Sequence, residues 1–220
     1  TLCEVSPGII WAGGYTSGIY KINKNTLSVE YFSPYLLSHV NMRPDKYIRD
    51  IVKDSRGYIW SGGYYNLKCF DLETNTTRLY SGLNSITSIV EKDKDNMWIG
   101  TAIGLYLLNR NTGEYQYIEM EVGITYINTL YQADNGLLYI GTNGMGVFIY
   151  HPQDKTFEHY FSDNSALVSN RIFTILPEVD GRIMMSTENG ITCFHTKEKI
   201  FRNWTKGEGL LPSYLSLIHI

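Results

Sequence analysis

The pattern of apolar and polar positions repeats five times along the chain. In each copy an apolar strand that begins with a large residue runs through small residues to a Gly or Asn, and a second apolar strand follows. We call the large first residues the marker residues, and they are separated by 49, 38, 41 and 45 positions. Repeats of this length are typical of propellers and solenoids. The five segments are Trp11–Asn23, Trp60–Asp71, Trp98–Asn109, Tyr139–His151 and Met184–His195.

Two further strands complete each copy. A short apolar strand precedes the marker strand and carries one small polar residue ten positions before the marker, and a fourth strand ends in aromatic residues. The pattern therefore predicts an all-β fold, a β-propeller of about five four-stranded blades. No helical period is present, which excludes helical repeats, and a sandwich would not require the same residue types at matched offsets. The small polar residues are Thr1, Asp50, Ser88, Thr129 and Thr174.

The repeat also predicts where blades begin and end. Residues 33–46 contain two prolines and predict an insertion between the first two blades. Residues 214–220 match the first strand of the repeat and predict the start of a sixth blade. Five blades and one further strand do not suit a sealed ring, so we expect a fragment of a larger, seven-bladed propeller. The expected blades are residues 1–32, 47–80, 85–118, 125–160 and 170–204.

Composition and charge narrow the possible partners. The 220 residues are 43% hydrophobic, enough for a sizeable core. The net charge of −3 gives no basic surface, so we expect no contact with nucleic acid. No apolar run reaches the roughly 18 residues that span a bilayer, and we expect any export signal or anchor outside this chain. Cys3, Cys69 and Cys193 fall in predicted strands and are expected to be buried free thiols.

Two runs resemble a known repeat family. Ser85–Ile118 contains KDKDNMWIGTAIGLYLLN, and Ser169–Leu210 contains the corresponding VDGRIMMSTENGITCFH. Both resemble the two-component-regulator propeller repeats of the periplasmic sensor region in hybrid histidine kinase/response regulators, which control polysaccharide use in gut bacteria. The resemblance extends over nearly the whole chain. It implies a parent protein with two seven-bladed propellers, a β-sandwich, a membrane helix, a histidine kinase, a receiver and a DNA-binding domain, and only propeller repeats are found in these 220 residues.

This resemblance implies a non-enzymatic, periplasmic sensor module that responds to an oligosaccharide or a related signal. The parent would be anchored in the inner membrane, form a homodimer through its ectodomain and control polysaccharide-utilisation genes. Two alternatives stay open: a protein-interaction or dimerisation propeller without a small ligand, and a propeller lyase or glycosidase. Glycan binding separates the first two hypotheses, and glycan turnover identifies the third.

Motifs for catalysis give no candidate. The five histidines have no metal-ligand spacing, and the run Lys92–Asn96 lacks the later ligands of a calcium-binding loop. The glycine-rich Gly141–Gly146 joins two strands and matches neither phosphate-binding fingerprint. His151 and His195 occupy the repeat position of Asn23, Asp71 and Asn109, which predicts a role in the turn after the third strand. We therefore expect no catalytic residue, metal or cofactor.

The candidate ligand-binding residues come from positions that vary between repeats. Four and five residues after each marker lies the loop between the second and third strands, and in a propeller these loops lie on one face. Tyrosines there would stack on sugar rings, while amide and carboxylate groups would bind hydroxyls. The alternative interpretation is a set of tolerant loop residues. The candidates are Tyr15, Tyr64, Tyr65, Asn143, Glu188 and Asn189.

Overall fold

The computed structural model describes residues 1–32, 47–123 and 125–209. Within them lie five four-stranded antiparallel sheets, which confirms the all-β fold and the four strands per repeat. The predicted insertion at 33–46 and the predicted strand at 214–220 lie outside the described residues. In the described part of the chain, no helix has the length and apolar character needed to cross a membrane.

Consecutive strands are neighbours in every sheet, and we number the sheets 1 to 5 in chain order. Sheets 1 to 3 contain β1 Leu2–Ser6, β2 Ile9–Gly14, β3 Gly18–Asn23, β4 Val29–Phe32, β5 Ile48–Lys53, β6 Ile59–Gly63, β7 Leu67–Asp71, β8 Thr76–Tyr80, β9 Ile86–Glu91, β10 Asn96–Thr101, β11 Gly104–Asn109 and β12 Tyr115–Ile118. Sheets 4 and 5 contain β13 Ile127–Gln132, β14 Leu138–Thr142, β15 Val147–His151, β16 Thr156–Tyr160, β17 Ile172–Pro177, β18 Arg182–Thr187, β19 Gly190–His195 and β20 Ile200–Trp204. Short 3-10 helices occur at Val179–Gly181 and Lys206–Glu208.

Strand pairing places the five marker residues at equivalent positions. Each lies on the second strand of its sheet, opposite the residue eight positions before it. Trp11, Trp60 and Trp98 are 1% exposed and Tyr139 is 2% exposed, whereas Met184 is half-buried. The repeat register predicted from sequence is therefore confirmed. The pairs are Trp11 with Cys3, Trp60 with Val52, Trp98 with Val90, Tyr139 with Tyr131 and Met184 with Leu176.

Apolar cores lie between sheets 1 and 2, between sheets 2 and 3 and between sheets 4 and 5. Trp11 of sheet 1 packs against Phe70 of sheet 2, with ring centroids 5.3 Å apart, and the buried Ile59 belongs to the same cluster. Tyr139 of sheet 4 likewise shares a cluster with the buried Met185 of sheet 5. Each of these clusters takes residues from two neighbouring sheets, so packing between sheets contributes to the stability of both.

A glycine two positions after the marker permits this close packing. A Cβ at Gly13 would lie 2.5 Å from Ile48 Cγ2, and one at Gly141 would lie 2.8 Å from Ile172 Cγ2. In both cases this isoleucine belongs to the first strand of the next sheet, and at Gly141 the Cβ would also lie 2.6 Å from Thr129 Cγ2 of its own sheet. The recurrence of a small residue at this position therefore reflects contact between sheets.

Contacts group the chain into two compact units. The first contains Thr1–Thr101 and Tyr106–Tyr117, which is sheet 1, sheet 2 and most of sheet 3. The second contains Ala102–Leu105 and the described residues from Ile118 onwards, with sheets 4 and 5.

In the first unit, Asp50 places a carboxyl group on the first strand of sheet 2. The backbone N–H of Ile89, on the first strand of sheet 3, donates to its Oδ2 at 2.7 Å. Burial raises the pKa of Asp50 to about 6, and the hydrogen bond from Ile89 only partly offsets this effect. The polar position of the repeat thus links neighbouring first strands through a carboxyl group that is costly to ionise.

We expect the Asp50→Asn variant to be more stable than the native chain at neutral pH. The upward shift corresponds to about 3 kcal/mol for a group fully shielded from water, and the partial exposure of Asp50 reduces this to about 1–2 kcal/mol. Because the folded-state pKa is raised above 3.8, the contribution of Asp50 to stability is complete at acid pH and is lost as the pH rises through about 6.

Urea unfolding of both proteins between about pH 4 and pH 8 measures this effect. The stability difference should be small at the acid end and reach its maximum above pH 7. The exposed Asp154→Asn change is the control and should have no effect on stability. A gain from Asp50→Asn that is equal at all pH values would contradict the prediction.

Candidate functional site

The turn after the third strand is held by an Asx-type hydrogen bond. In sheet 1, Asn23 Oδ1 accepts from the backbone N–H of Asn25 at 2.9 Å and of Thr26 at 3.1 Å. Asp71 and Asn109 make the same pair of bonds in sheets 2 and 3. This repeat position therefore holds the turn in sheets 1 to 3, and the turn role predicted for His151 and His195 at the same position stays a prediction. The equivalent His151 in sheet 4 instead contacts a carboxylate, with Nε2 3.1 Å from Glu158 Oε1.

The three cysteines are free thiols. Cys69 and Cys193 are buried, whereas Cys3 is half-buried. Burial raises the pKa of the Cys69 thiol to about 12, which keeps it protonated and unreactive. Among the described residues, no group of three or more His, Cys, Asp or Glu side chains is placed to hold a metal ion.

In the first unit, the candidate tyrosines form an exposed aromatic cluster. Tyr47, immediately before β5, connects them: its ring centroid lies 5.3 Å from that of Tyr15 and 6.1 Å from that of Tyr64. Tyr65 supports Tyr64 edge-on at 4.8 Å. Tyr15 is 67% exposed, Tyr64 54% and Tyr47 39%, and Tyr65 is half-buried. We call these four residues the tyrosine cluster.

Backbone hydrogen bonds fix the loop that carries Tyr64. Its N–H donates to Tyr47 O at 3.3 Å, and its carbonyl accepts from the N–H of Ser85 at 2.9 Å. Since Ser85 leads into the first strand of sheet 3, the loop is held by its own sheet and by the next one. The rings therefore project from an anchored backbone.

The second unit repeats this arrangement with polar residues. Asn143 N donates to Tyr126 O at 2.9 Å, and Glu188 N donates to Arg171 O at 3.3 Å. Arg171 also forms a β-bridge with Asn143 and a salt bridge from Nη1 to Glu188 Oε1 at 3.0 Å. Asn189 Nδ2 donates to the carbonyl of Val168 at 3.3 Å. Asn143, Glu188 and Asn189 are exposed residues.

Sequence reasoning missed the residues that precede each first strand. Tyr47, Tyr126 and Arg171 each lie thirteen positions before the marker residue of their sheet. The backbone carbonyl of each accepts a hydrogen bond from the N–H of the residue four positions after that marker. The sequence contains a signal for these residues, because the residue type thirteen positions before the marker varies between repeats, as it does in the candidate loop. In sheets 2, 4 and 5 the structure thus joins two variable positions into one surface element.

A separate charged cluster lies between sheets 2 and 3. Arg110 is 3% exposed and forms ion pairs with Asp54 and Glu91, the latter at 2.7 Å. Asp54 Oδ1 accepts from the backbone N–H groups of Arg56 and Tyr58, and Oδ2 accepts from Trp60 Nε1 at 2.8 Å. All of these partners donate to the buried carboxylate of Asp54. Because Asp54 follows a strand of sheet 2 and Arg110 follows a strand of sheet 3, their ion pair stabilises the contact between the two sheets.

Comparison with protein-family models and with curated proteins gives no match. The extracellular domain of the putative hybrid two-component system BT3049 from B. thetaiotaomicron is similar over 96% of this chain and 28% of its own, with 20% identity and a TM-score of 0.76. The corresponding domain of BT4673 from B. thetaiotaomicron matches 87% of this chain and 26% of its own, with 22% identity and a TM-score of 0.73. A streptogramin B lyase matches 93% of this chain and 67% of its own, with 14% identity and a TM-score of 0.74.

The chain spans about a quarter of the length of the two extracellular domains. Likeness at these identities establishes the fold, and the presence of a lyase among the matches shows that this fold serves more than one activity. The matches include the class of sensor ectodomain that the sequence resembles. The chain therefore has the β-propeller blade fold found in the extracellular domains of hybrid two-component systems.

Proposed function

We propose that the chain is part of an extracytoplasmic sensor module of a hybrid two-component protein and binds an oligosaccharide. The observation that carries this proposal is the tyrosine cluster, which exposes three aromatic rings on an anchored backbone. Exposed rings offer apolar faces to the C–H faces of sugar rings and phenol hydroxyls to sugar hydroxyls. The likeness to sensor ectodomains supports a binding role over turnover.

Signalling requires more than binding. A glycan changes the output of a kinase only when it binds one arrangement of the paired ectodomains more tightly than the other. We therefore propose a periplasmic location, a parent anchored in the inner membrane and a homodimer of ectodomains. In the second unit, the exposed polar residues Asn143, Glu188 and Asn189 are proposed as further ligand-binding groups.

Tyr64→Ala should weaken glycan binding about five- to thirtyfold, since stacking on an aromatic ring contributes on the order of 1–2 kcal/mol. The full 220-residue chain is first tested on an array of defined oligosaccharides, and the best binder is titrated by calorimetry. Tyr31→Ala is the matched control, because Tyr31 is also 54% exposed but lies on the outer strand of sheet 1.

Tyr31→Ala should leave the affinity unchanged, and both variants should unfold at nearly the same temperature as the native chain. The proposal is wrong if no oligosaccharide on the array binds, or if the two variants lose affinity equally. Hydrolysis or elimination products from the bound glycan would instead favour the lyase or glycosidase alternative.

A further inference from the structure

A cleft of about 310 Å³ opens between sheets 2 and 3, in the first unit. Tyr58, Trp60 and Tyr80 supply aromatic lining, and Arg56 and Arg78 supply guanidinium groups. Asp71 also lines the cleft, and its Oδ1 accepts from the backbone N–H groups of Glu73 and Thr74. This mixture of apolar surface and a few charged donors is characteristic of sites for small ligands. None of these residues belongs to the tyrosine cluster.

In this cleft, the side chain of Arg78 has N–H donors left over after its bonds to carbonyl oxygens. Its Nη1 donates to Arg110 O at 3.0 Å and its Nη2 donates to Asn111 O at 3.2 Å, and the guanidinium lies 4.7 Å from the Tyr80 ring. These two bonds use two of the five N–H groups of an arginine. Within the described ranges Arg78 has no carboxylate partner, whereas Arg56 pairs with Asp95 at 3.0 Å.

The repeat provides internal comparisons for this position. Arg78 lies opposite Cys69 in sheet 2, as Glu158 lies opposite Ile149 in sheet 4. Glu158 is neutralised by Lys199 of sheet 5 at 2.8 Å and also accepts from Tyr160. A charge at this position can thus be balanced by the neighbouring sheet. In sheet 2 the neighbour offers Arg78 only carbonyl oxygens.

We propose that this cleft binds a small oxyanion carried on a ring, such as a sugar acid, through Arg78. The carboxylate, sulfate or phosphate would accept two parallel N–H bonds from the guanidinium, the geometry for which arginine is suited. The ring would lie against the aromatic lining. This site is independent of the proposed glycan surface and adds an anion requirement that the tyrosine cluster does not have.

The test uses the four tryptophan indole N–H signals in NMR spectra of the full chain. Trp60, assigned through Trp60→Phe, reports on the cleft that it lines. D-glucuronate, glucose 6-sulfate and glucose 6-phosphate are titrated to about 50 mM, with glucose as the neutral control. We expect the anionic sugars to shift the Trp60 signal saturably and glucose to leave it unchanged. The acid that binds best identifies which oxyanion the site takes.

Arg78→Gln should weaken this binding at least tenfold. Arg78→Lys keeps the positive charge but loses the paired N–H donors of the guanidinium, so it should give an intermediate loss. Arg202→Gln is the matched control, since Arg202 is an exposed arginine opposite Cys193 in sheet 5 and does not line the cleft. Tyr64→Ala should also leave anion binding intact.

Thermal unfolding of each variant establishes that it is folded. If Arg78→Gln is unstable, Arg78→Lys carries the comparison. The proposal fails if none of the three anionic sugars, at concentrations up to about 50 mM, shifts the indole N–H signal of Trp60. It also fails if Arg78→Gln and Arg202→Gln reduce binding equally.

Discussion

Replacing Arg110 with alanine should reduce the free energy of unfolding by about 3–5 kcal/mol. Its side chain is 2% exposed, and that of Asp54 is fully buried. Removing the guanidinium would leave the Asp54 carboxylate without a counter-charge in the space between sheets 2 and 3. It would also remove the donor that Glu91 accepts from at 2.7 Å.

The loss should depend on pH through Glu91. Burial opposes its ionisation, but hydrogen bonds from Ser55 and Arg110 outweigh that effect and lower the pKa. A lowered pKa contributes stability that is present above the ordinary value and is lost as the pH falls through the folded-state value. The difference between the native chain and Arg110→Ala should therefore shrink under acid conditions.

Urea unfolding at about pH 7 and about pH 4 measures both effects. Arg182→Ala serves as the control, because Arg182 pairs with Glu178 on the surface, with both side chains more than a third exposed. An exposed pair of this kind contributes about 0–1 kcal/mol. If the two arginine variants lose similar stability at neutral pH, the buried cluster does not fasten the sheets as the contacts indicate.

The fold was predictable from the sequence because the close contact between neighbouring sheets requires the same small residue at the same place in several repeats. Gly13, Gly62 and Gly141 each face an isoleucine on the first strand of the next sheet, so the same small residue is required in every such blade. Three comparable contacts in one chain provide the alignment that a single sequence normally lacks. Periodicity alone was then sufficient to place the strands.

The Arg110 cluster could not be predicted in the same way. Its ion pair with Asp54 joins residues 56 positions apart, and no other repeat has an arginine where Arg110 follows Asn109. A contact made once, between different sheets, leaves no periodic trace. The sequence therefore shows an isolated acid and an isolated base, and only the packing of sheet 2 on sheet 3 brings them together.

The candidate site falls between these two cases. Tyr15, Tyr64 and Tyr65 were predicted as site residues because they occupy a matched offset at which the residue type varies. Tyr47 also occupies a matched offset, but it precedes the first strand, and only the fold places it beside the loop between the second and third strands. The hydrogen bond from Tyr64 N to Tyr47 O makes the two offsets a single element.

We expect Trp60→Ala to destabilise the chain by about 3–5 kcal/mol, as large-to-small changes in cores do. Trp60 is 1% exposed and packs against Tyr80, with ring centroids 5.1 Å apart. The variant loses this contact area and also the indole N–H that donates to Asp54 Oδ2 at 2.8 Å. Because Asp54 also binds Arg110, the cavity would open beside the buried ion pair.

Trp60→Phe separates the two contributions, since it keeps an aromatic ring and removes only the donor and part of the volume. Its cost should be about 1–3 kcal/mol, the range for a buried acceptor that loses one partner. Trp204→Ala is the control, because Trp204 is 41% exposed on the outer strand of sheet 5.

Urea unfolding should rank Trp60→Ala as the most damaging change, Trp60→Phe as intermediate and Trp204→Ala within about 1 kcal/mol of the native chain. Equal losses at Trp60 and Trp204 would contradict a core between sheets as the main source of cohesion. A loss from Trp60→Phe as large as that from Trp60→Ala would assign the role of Trp60 to its hydrogen bond with Asp54.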